Sequence, residues 1–239
     1  MHNGWCVNRE LEKSEVSVGS SQRQTKPKGV KMKISQKRFA AQGEYAESIF
    51  QSALGDIESS IAALERAFEI DDEYAPAILS MGTVEYQRGN PNRGKELLLS
   101  LVSLPASAAD EGECDLVEII DEAGDFLIEE GKYADGLELF RSAVRRFPEY
   151  IDFYQGVGCC AGHEGLYHEA ISALETALEL DPENQKLVND LGWTLYESGR
   201  LVEAKQMLSK AVEMDPADTL ACENLRICMN ASSEENPET

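Results

Sequence analysis

The chain has 239 residues, of which 42% are hydrophobic, so it is long enough to bury a sizeable core. Its formal net charge of -22 is uneven: residues 1–40 carry nine Lys and Arg against three Asp and Glu, or +6, which leaves -28 for the remainder. An acidic body of this strength repels nucleic acid and anionic membranes and favours basic partners, although acidity can also serve solubility alone. The sequence has no run of 18 apolar residues and no secretory signal, so we expect no membrane insertion.

Residues 1–40 are polar and basic, and we expect them to form a disordered N-terminal arm. Between Arg23 and Arg38 the arm carries seven positive charges and no acidic residue. Three interpretations stay open: a solvated tail, a contact for nucleic acid or anionic lipid, or an extension that precedes a true start at Met32.

Beyond the arm, apolar and small residues recur with a fixed period. The period is clearest between residues 149–182 and residues 183–216, where seven positions match at a constant offset of 34 residues. Each copy has two amphipathic stretches separated by a glycine, which predicts two helices joined by a turn with a left-handed cap at Gly165. The matched pairs are Val157 and Leu191, Gly158 and Gly192, Gly165 and Gly199, Ala170 and Ala204, Leu174 and Leu208, Ala177 and Ala211, and Pro182 and Pro216.

Gly158 and Gly192 fall inside predicted helices, where a glycine costs roughly 1 kcal/mol relative to alanine. Because the same cost recurs at the same place, we predict that the second helix of each pair crosses closely at this point.

Weaker copies precede these two. Ser48 stands in the first copy where the others have glycine, as is common in a terminal repeat with one face in solvent. Residues 217–230 form one further amphipathic stretch, which predicts a single capping helix, and we expect residues 231–239 to form a flexible acidic tail. The predicted repeats are 41–72, 73–106, 115–148, 149–182 and 183–216, with eight extra residues before the third.

A 34-residue period with this order of small and large apolar residues resembles the tetratricopeptide repeat (TPR) family. The resemblance implies an all-α fold, a right-handed superhelix (α-solenoid) of about five helix-pair repeats plus the C-terminal capping helix, over residues 41–230. It also implies a non-enzymatic interaction module without a cofactor. The sequence agrees in lacking a Walker loop, a G-x-S-x-G turn and an H-E-x-x-H helix.

In solenoids of this kind the first helix of each pair lines the concave surface. Residues off its packing stripe are therefore expected to form a groove with grouped carboxylates beside an aromatic pair, as an electronegative peptide site would have. Two alternatives stay open: the carboxylates are a solvated helix face, or Trp193 packs on the capping helix near Cys222 and Leu225. The predicted groove residues are Glu118, Asp121, Asp125, Glu129, Asp152, Gln155, Asn189, Trp193 and Tyr196.

Some TPR proteins bind acidic chaperone tails through a clamp of Lys, Asn and Arg in the groove. Here Lys186 and Asn189 match such a clamp, but carboxylates occupy the other places, which argues against an acidic tail as partner. We therefore expect a cytoplasmic adaptor that holds a basic or amphipathic segment of another protein, with no nucleic-acid contact by the folded part and an undetermined oligomeric state. The alternative is a TPR-type chaperone for secreted or assembling subunits.

A third hypothesis is a thiol or metal site at Cys159, Cys160 and His163. Cys159 and His163 are four residues apart, on one helix face and at a metal-ligand spacing, but a fourth ligand is not evident. The six cysteines form no C-x-x-C pair, so we expect reduced thiols.

Overall fold

A computed structural model describes residues 36–108 and 115–234 of the chain. In these ranges the chain forms eleven α-helices and one short 3₁₀ helix at Ala106–Ala108, with no β-strand, which confirms the predicted all-α fold. In sequence they make five consecutive helix–turn–helix units followed by one helix. The helices are α1 (Gln36–Ala53), α2 (Ile57–Ile70), α3 (Ala75–Gln87), α4 (Pro91–Leu101), α5 (Leu116–Glu129), α6 (Tyr133–Arg146), α7 (Ile151–His163), α8 (Tyr167–Leu180), α9 (Gln185–Glu197), α10 (Leu201–Met214) and α11 (Thr219–Glu234).

The chain divides into two compact units at Phe126 and Leu127. The described residues up to Phe126 are called the N-terminal unit below, and those from Leu127 onward the C-terminal unit. No helix of the described residues is long and apolar enough to cross a membrane.

The turn inside each helix pair is closed by a glycine with a left-handed backbone. Gly165 has φ +72°, which confirms the predicted cap, and the same conformation recurs in the other four pairs. Because this conformation is strained for residues with a Cβ atom, glycine ends the first helix of each pair without that cost. The other four turn glycines are Gly55, Gly89, Gly131 and Gly199.

The glycines inside the first helices allow the close crossing that the sequence predicts. A Cβ atom on Gly192 would lie 2.8 Å from Leu208 Cγ and 3.0 Å from the Leu208 backbone nitrogen. A Cβ atom on Gly158 would lie 2.7 Å from Leu174 Cγ. A leucine of the second helix therefore fills the space that a side chain would need.

In the first pair, two serines lie where α1 and α2 cross. Ser48 is 6% exposed, and its Oγ lies 3.2 Å from Ser60 Oγ. The Ser60 hydroxyl donates to the Ser48 carbonyl oxygen at 2.8 Å. The two hydroxyls satisfy each other, so serine replaces glycine here without leaving a buried polar group unpaired.

Helix α1 begins at Gln36, so residues 36–40 of the predicted disordered arm are helical. Arg38 accounts for this correction. Its guanidinium donates to Asp71 Oδ2 at 2.7 Å and to the Ser107 carbonyl oxygen at 2.7 Å, and it lies 5.2 Å from the centre of the Tyr74 ring. The Arg38 and Asp71 side chains are only 13% and 6% exposed, so this ion pair holds the start of α1 on the N-terminal unit.

At the other end, α11 continues to Glu234, so residues 231–234 of the predicted flexible tail are helical as well. Residues 1–35 of the arm and residues 235–239 of the tail lie outside the described residues.

Candidate interaction face

In the C-terminal unit the first helices of successive pairs lie against one another: α7 contacts α9, and α9 contacts α11. Side-chain hydrogen bonds join them at intervals close to the repeat length. Gln155 Nε2 donates to Asp190 Oδ2 at 2.9 Å, and Gln185 Nε2 donates to Asp218 Oδ2 at 2.9 Å. The first of these bonds fixes the surface that α7 and α9 share.

We call part of this surface the first-helix face, and define it by Asp152, Gln155, Asp190, Trp193 and Tyr196. Asp190, Trp193 and Tyr196 are three residues apart along α9, so they lie on one side of that helix. Gln155 links α7 to it through Asp190. Asp190 is the member that sequence reasoning missed. Its partner in α7 is 35 residues away, one more than the sequence period.

The aromatic pair of this face is half-buried. The Trp193 and Tyr196 ring centres are 5.1 Å apart with planes tilted by 39°, and Tyr196 packs against the apolar core of the unit. The indole Nε1 of Trp193 is buried and has no hydrogen-bond acceptor among the described residues. Its ring is therefore held by packing rather than by a polar contact. A buried N–H without an acceptor costs about 1–3 kcal/mol.

Asn189 does not line the face, contrary to the sequence prediction. It is 1% exposed, and its Oδ1 accepts from Asn224 Nδ2 of α11 at 3.0 Å. Asn189 stands 34 residues after Gln155, so the period alone gives them the same place. Helix α11 packs over Asn189 and turns it into an interior link between α9 and α11.

Asp152 and Glu129 are exposed carboxylates of the C-terminal unit. Asp152 lies in the first turn of α7, where the positive end of the helix dipole favours a negative side chain. Glu129 is the last residue of α5, outside the face as defined.

The other predicted groove residues, Glu118, Asp121 and Asp125, belong to the N-terminal unit. They share one side of α5 by their spacing. Asp121 and Asp125 are half-buried, whereas Glu118 is exposed and accepts a hydrogen bond from the Asp115 backbone nitrogen at 3.1 Å. Glu118 thus caps its own helix, a role that its place three residues after Asp115 could have suggested.

Cys159, Cys160 and His163 do not form a joint thiol or metal site. Cys160 is fully buried and forms no disulfide, whereas Cys159, 7% exposed, is disulfide-bonded. This corrects the expectation of reduced thiols at Cys159. His163 is exposed and stacks on Tyr133, with ring centres 3.9 Å apart and planes within 8°. No group of three or more possible metal ligands occurs among the described residues.

Comparison with known proteins finds two matches to models described as tetratricopeptide repeat, over residues 42–74 and 163–226. A search of curated protein sequences finds no match.

Several solved structures share the fold. YrrB, described as a TPR protein with an unusual peptide-binding site, is 21% identical with a TM-score of 0.54, over 77% of this chain and 90% of YrrB. MamA (41-end) from Desulfovibrio magneticus RS-1 is 17% identical with a TM-score of 0.53, over 77% of this chain and 98% of its own. A further MamA structure is 20% identical with a TM-score of 0.53, over 74% of this chain and 92% of its own. At these identities the likeness shows the fold alone.

Proposed function

We propose that this chain, which belongs to the tetratricopeptide repeat family, is an adaptor that binds a basic, amphipathic segment of another protein on its first-helix face. The observation that carries the proposal is the half-buried Trp193–Tyr196 pair on the same side of α9 as the carboxylate of Asp190, with the exposed Asp152 on the adjoining helix α7. Tryptophan and tyrosine are enriched among the few residues that dominate the energy of protein–protein interfaces.

Trp193 supplies the apolar contact of this proposed site. Its ring is partly accessible, and no polar contact among the described residues fixes the indole N–H. Rotation of the ring on binding would bring that N–H to a backbone carbonyl of the bound segment and remove the cost of leaving it unpaired. Binding is then favoured both because the Trp193 N–H is no longer unpaired and because the ring gains contact with the bound segment.

The negative charge of the first-helix face favours a bound segment with positive charge. Asp152 and Asp190 are both carboxylates, and the sequence after residue 40 carries a net -28. Lysine or arginine in the bound segment would meet a complementary potential, whereas an acidic segment would be repelled. YrrB, which has the same fold, is described as having a peptide-binding site, and this supports peptide binding as the use of the fold here.

The experiment begins with capture of partners from the source cell, followed by a peptide array of each captured protein to find the bound segment. The chain has two tryptophans, Trp5 and Trp193, so a Trp5→Phe variant makes Trp193 the sole reporter of indole fluorescence. We expect a basic, amphipathic segment to bind and to shift the Trp193 emission. A single captured client that is released on assembly would instead favour the chaperone alternative.

Matched variants locate the site. Asp152→Asn should weaken binding, whereas Glu179→Gln, an exposed carboxylate of α8 away from the face, should leave it unchanged. A segment that binds without changing the Trp193 emission, or that binds both variants like the parent chain, would place the site elsewhere.

A further inference from the structure

The N-terminal unit leaves an apolar surface uncovered on α1 and the start of α2. Five of the nine exposed large hydrophobic residues among the described residues lie between positions 39 and 57, so the exposure is concentrated on α1, the turn after it and the first residue of α2. Each of the five side chains is more than half exposed: Phe39 (72%), Ile49 (56%), Phe50 (57%), Leu54 (65%) and Ile57 (56%). We call these residues, together with the small residues Gly43, Ala46 and Ala53, the α1 face.

The α1 face follows the helical period. Phe39, Gly43, Ala46, Phe50 and Ala53 are spaced by four, three, four and three residues, which places them on one stripe, and all five are exposed. Nothing lies within 4 Å of the position that a Cβ atom on Gly43 would occupy, so the centre of the stripe is open. None of the five residues carries a charge.

The last helix, α11, shows a more polar outer face than α1. The outward residues of α11 include Glu223 and Arg226, which are exposed and form an ion pair at 2.8 Å, and Asn230. Terminal repeats of solenoids need such a polar outer face to stay soluble. Among the described residues, α11 has one exposed large hydrophobic residue, Met229 at 45%, whereas α1 has three.

We propose that the α1 face is covered by a second copy of this chain, with the two α1 helices antiparallel about a two-fold axis at Ala46. In this register Phe39 of one copy lies opposite Ala53 of the other, since each is seven residues from the axis. Gly43 lies opposite Ile49, each three residues from the axis. Phe39 and Ile49 thus meet small residues on the partner, and Phe50 meets the uncharged Gln42, in the self-complementary arrangement of a two-fold interface.

Charge complementarity supports the antiparallel sense. Lys37, 53% exposed and bonded to Asp72 of its own chain at 3.0 Å, lies nine residues before the axis and so comes beside Gly55 of the other copy, next to its Asp56 and Glu58. Both of these acidic residues are exposed. The Lys37 end of each α1 thereby faces the acidic residues that follow α1 in its partner, while the uncharged stripe between them avoids the repulsion expected of two chains with net charge -22.

The exposed area agrees with a dimer. A phenylalanine buries about 150–250 Å² when it is fully covered, so five large side chains at these exposures offer several hundred Å² per copy. A standard interface needs about 800 Å² per partner, of which the polar rim supplies a large share. The proposal is independent of the proposed adaptor function, because it uses residues of the other unit.

Sedimentation velocity of the full chain over a concentration series tests the proposal. We expect a monomer–dimer equilibrium that Phe50→Glu weakens at least about tenfold, equal to about 1.4 kcal/mol. Phe50 is exposed, so this variant should stay folded, which circular dichroism checks. Val202→Glu is the matched control, since Val202 is 74% exposed on α10 and should leave the dimer unchanged.

Cysteine cross-linking tests the register. Ala46→Cys should link two copies through the introduced residue, identified by peptide mass mapping, whereas Ser52→Cys, also exposed on α1 but off the stripe, should not. A chain that stays monomeric while folded, or a dimer that Phe50→Glu does not weaken, overturns the proposal. If the chain is monomeric and Phe50→Glu abolishes capture of another protein, that protein is the occupant and the dimer is wrong.

Discussion

Two glycines in the middle of first helices differ in what a side chain there would meet. A Cβ atom on Gly192 would lie within 3.0 Å of Leu208, including its backbone nitrogen, whereas one on Gly43 would meet nothing within 4 Å. Gly192→Ala should therefore lower the free energy of unfolding of the C-terminal unit by about 1–3 kcal/mol through overpacking. Gly43→Ala should raise that of the N-terminal unit by up to about 1 kcal/mol through helix propensity.

Urea unfolding of the two variants at low protein concentration measures both values. The same substitution should change stability in opposite directions. A neutral or stabilising effect of Gly192→Ala would show that α9 and α10 can separate at the crossing without loss.

Single residues were predictable where their requirement is local. The roles of Gly165 and Gly192 can be predicted from the sequence. A left-handed turn and a close helix crossing each need glycine at a fixed distance from an apolar stripe. The basic and polar composition around Arg38 instead predicts a disordered arm. The partner of Arg38, Asp71, is 33 residues away, and no local pattern marks the pair.

At the scale of elements, the contact between α9 and α11 depends on a buried amide pair. Asn189 and Asn224 are each 1% exposed, and Asn224 Nδ2 donates to Asn189 Oδ1 at 3.0 Å. Asn189→Ala should destabilise the C-terminal unit by about 1–3 kcal/mol, because it leaves the Asn224 amide buried without its acceptor. Replacing both asparagines by leucine should cost much less than twice that amount, since no polar group is then stranded.

A double-mutant cycle of Asn189→Leu and Asn224→Leu, followed by denaturant unfolding, measures the coupling. Additive losses in the cycle would mean that the two amides act independently and that α11 is held by its apolar residues alone.

Helices α6 and α8 are joined by an ion pair whose effect should depend on pH. Arg141 Nε donates to Glu169 Oε1 at 2.7 Å, and this hydrogen bond lowers the pKa of Glu169 from its ordinary 4.5, against a smaller opposite effect of burial. Because the folded pKa is below the unfolded one, the stabilisation is fully present above about pH 4.5 and is lost as the pH falls through the folded value. The side chains are 41% and 37% exposed, so solvent screening keeps the effect below about 1 kcal/mol.

Glu169→Gln should therefore be less stable than the parent chain near neutral pH, and the difference should shrink between about pH 6 and about pH 3. Glu179→Gln, on the same helix and exposed, is the control and should show no such trend. A Glu169→Gln deficit that stays constant over this range would assign the loss to packing rather than to charge.

The helices themselves were predictable from period and spacing, but the accessibility of the candidate face was not. The sequence places Gln155 and Asn189 at equivalent positions, yet Gln155 is half-buried while Asn189 is covered. Each residue bonds to the first helix that follows it, Gln155 to Asp190 of α9 and Asn189 to Asn224 of α11, so both positions are met by a neighbouring helix. How deeply each side chain is buried depends on the residues that it meets in that helix, and a pattern internal to one repeat does not contain that information.

On the scale of the whole molecule, the net charge of -22 should set the association rate of a basic segment. Trp193 should set its dissociation rate. Interactions between exposed charges are screened beyond about 8 Å at physiological ionic strength, so steering should fall steeply with added salt. Asp152→Lys should slow association more than Glu179→Lys, because both make the same change in net charge but only Asp152 belongs to the first-helix face. Reversal of Asp121 and Asp125 together should slow association through the overall field.

Trp193→Ala should leave the association rate nearly unchanged and should speed dissociation, at a cost on the order of 2 kcal/mol, because it removes the aromatic contact. Stopped-flow association and dissociation of the mapped segment at low and high salt separate these effects. At high salt the association rates of Asp152→Lys and Glu179→Lys should converge, while the Trp193→Ala dissociation rate should remain fast.

If Asp152→Lys and Glu179→Lys slow association equally at low salt, only the total charge attracts the segment and the first-helix face does not direct it. If Trp193→Ala releases the segment no faster than the parent chain, the segment binds elsewhere on the molecule.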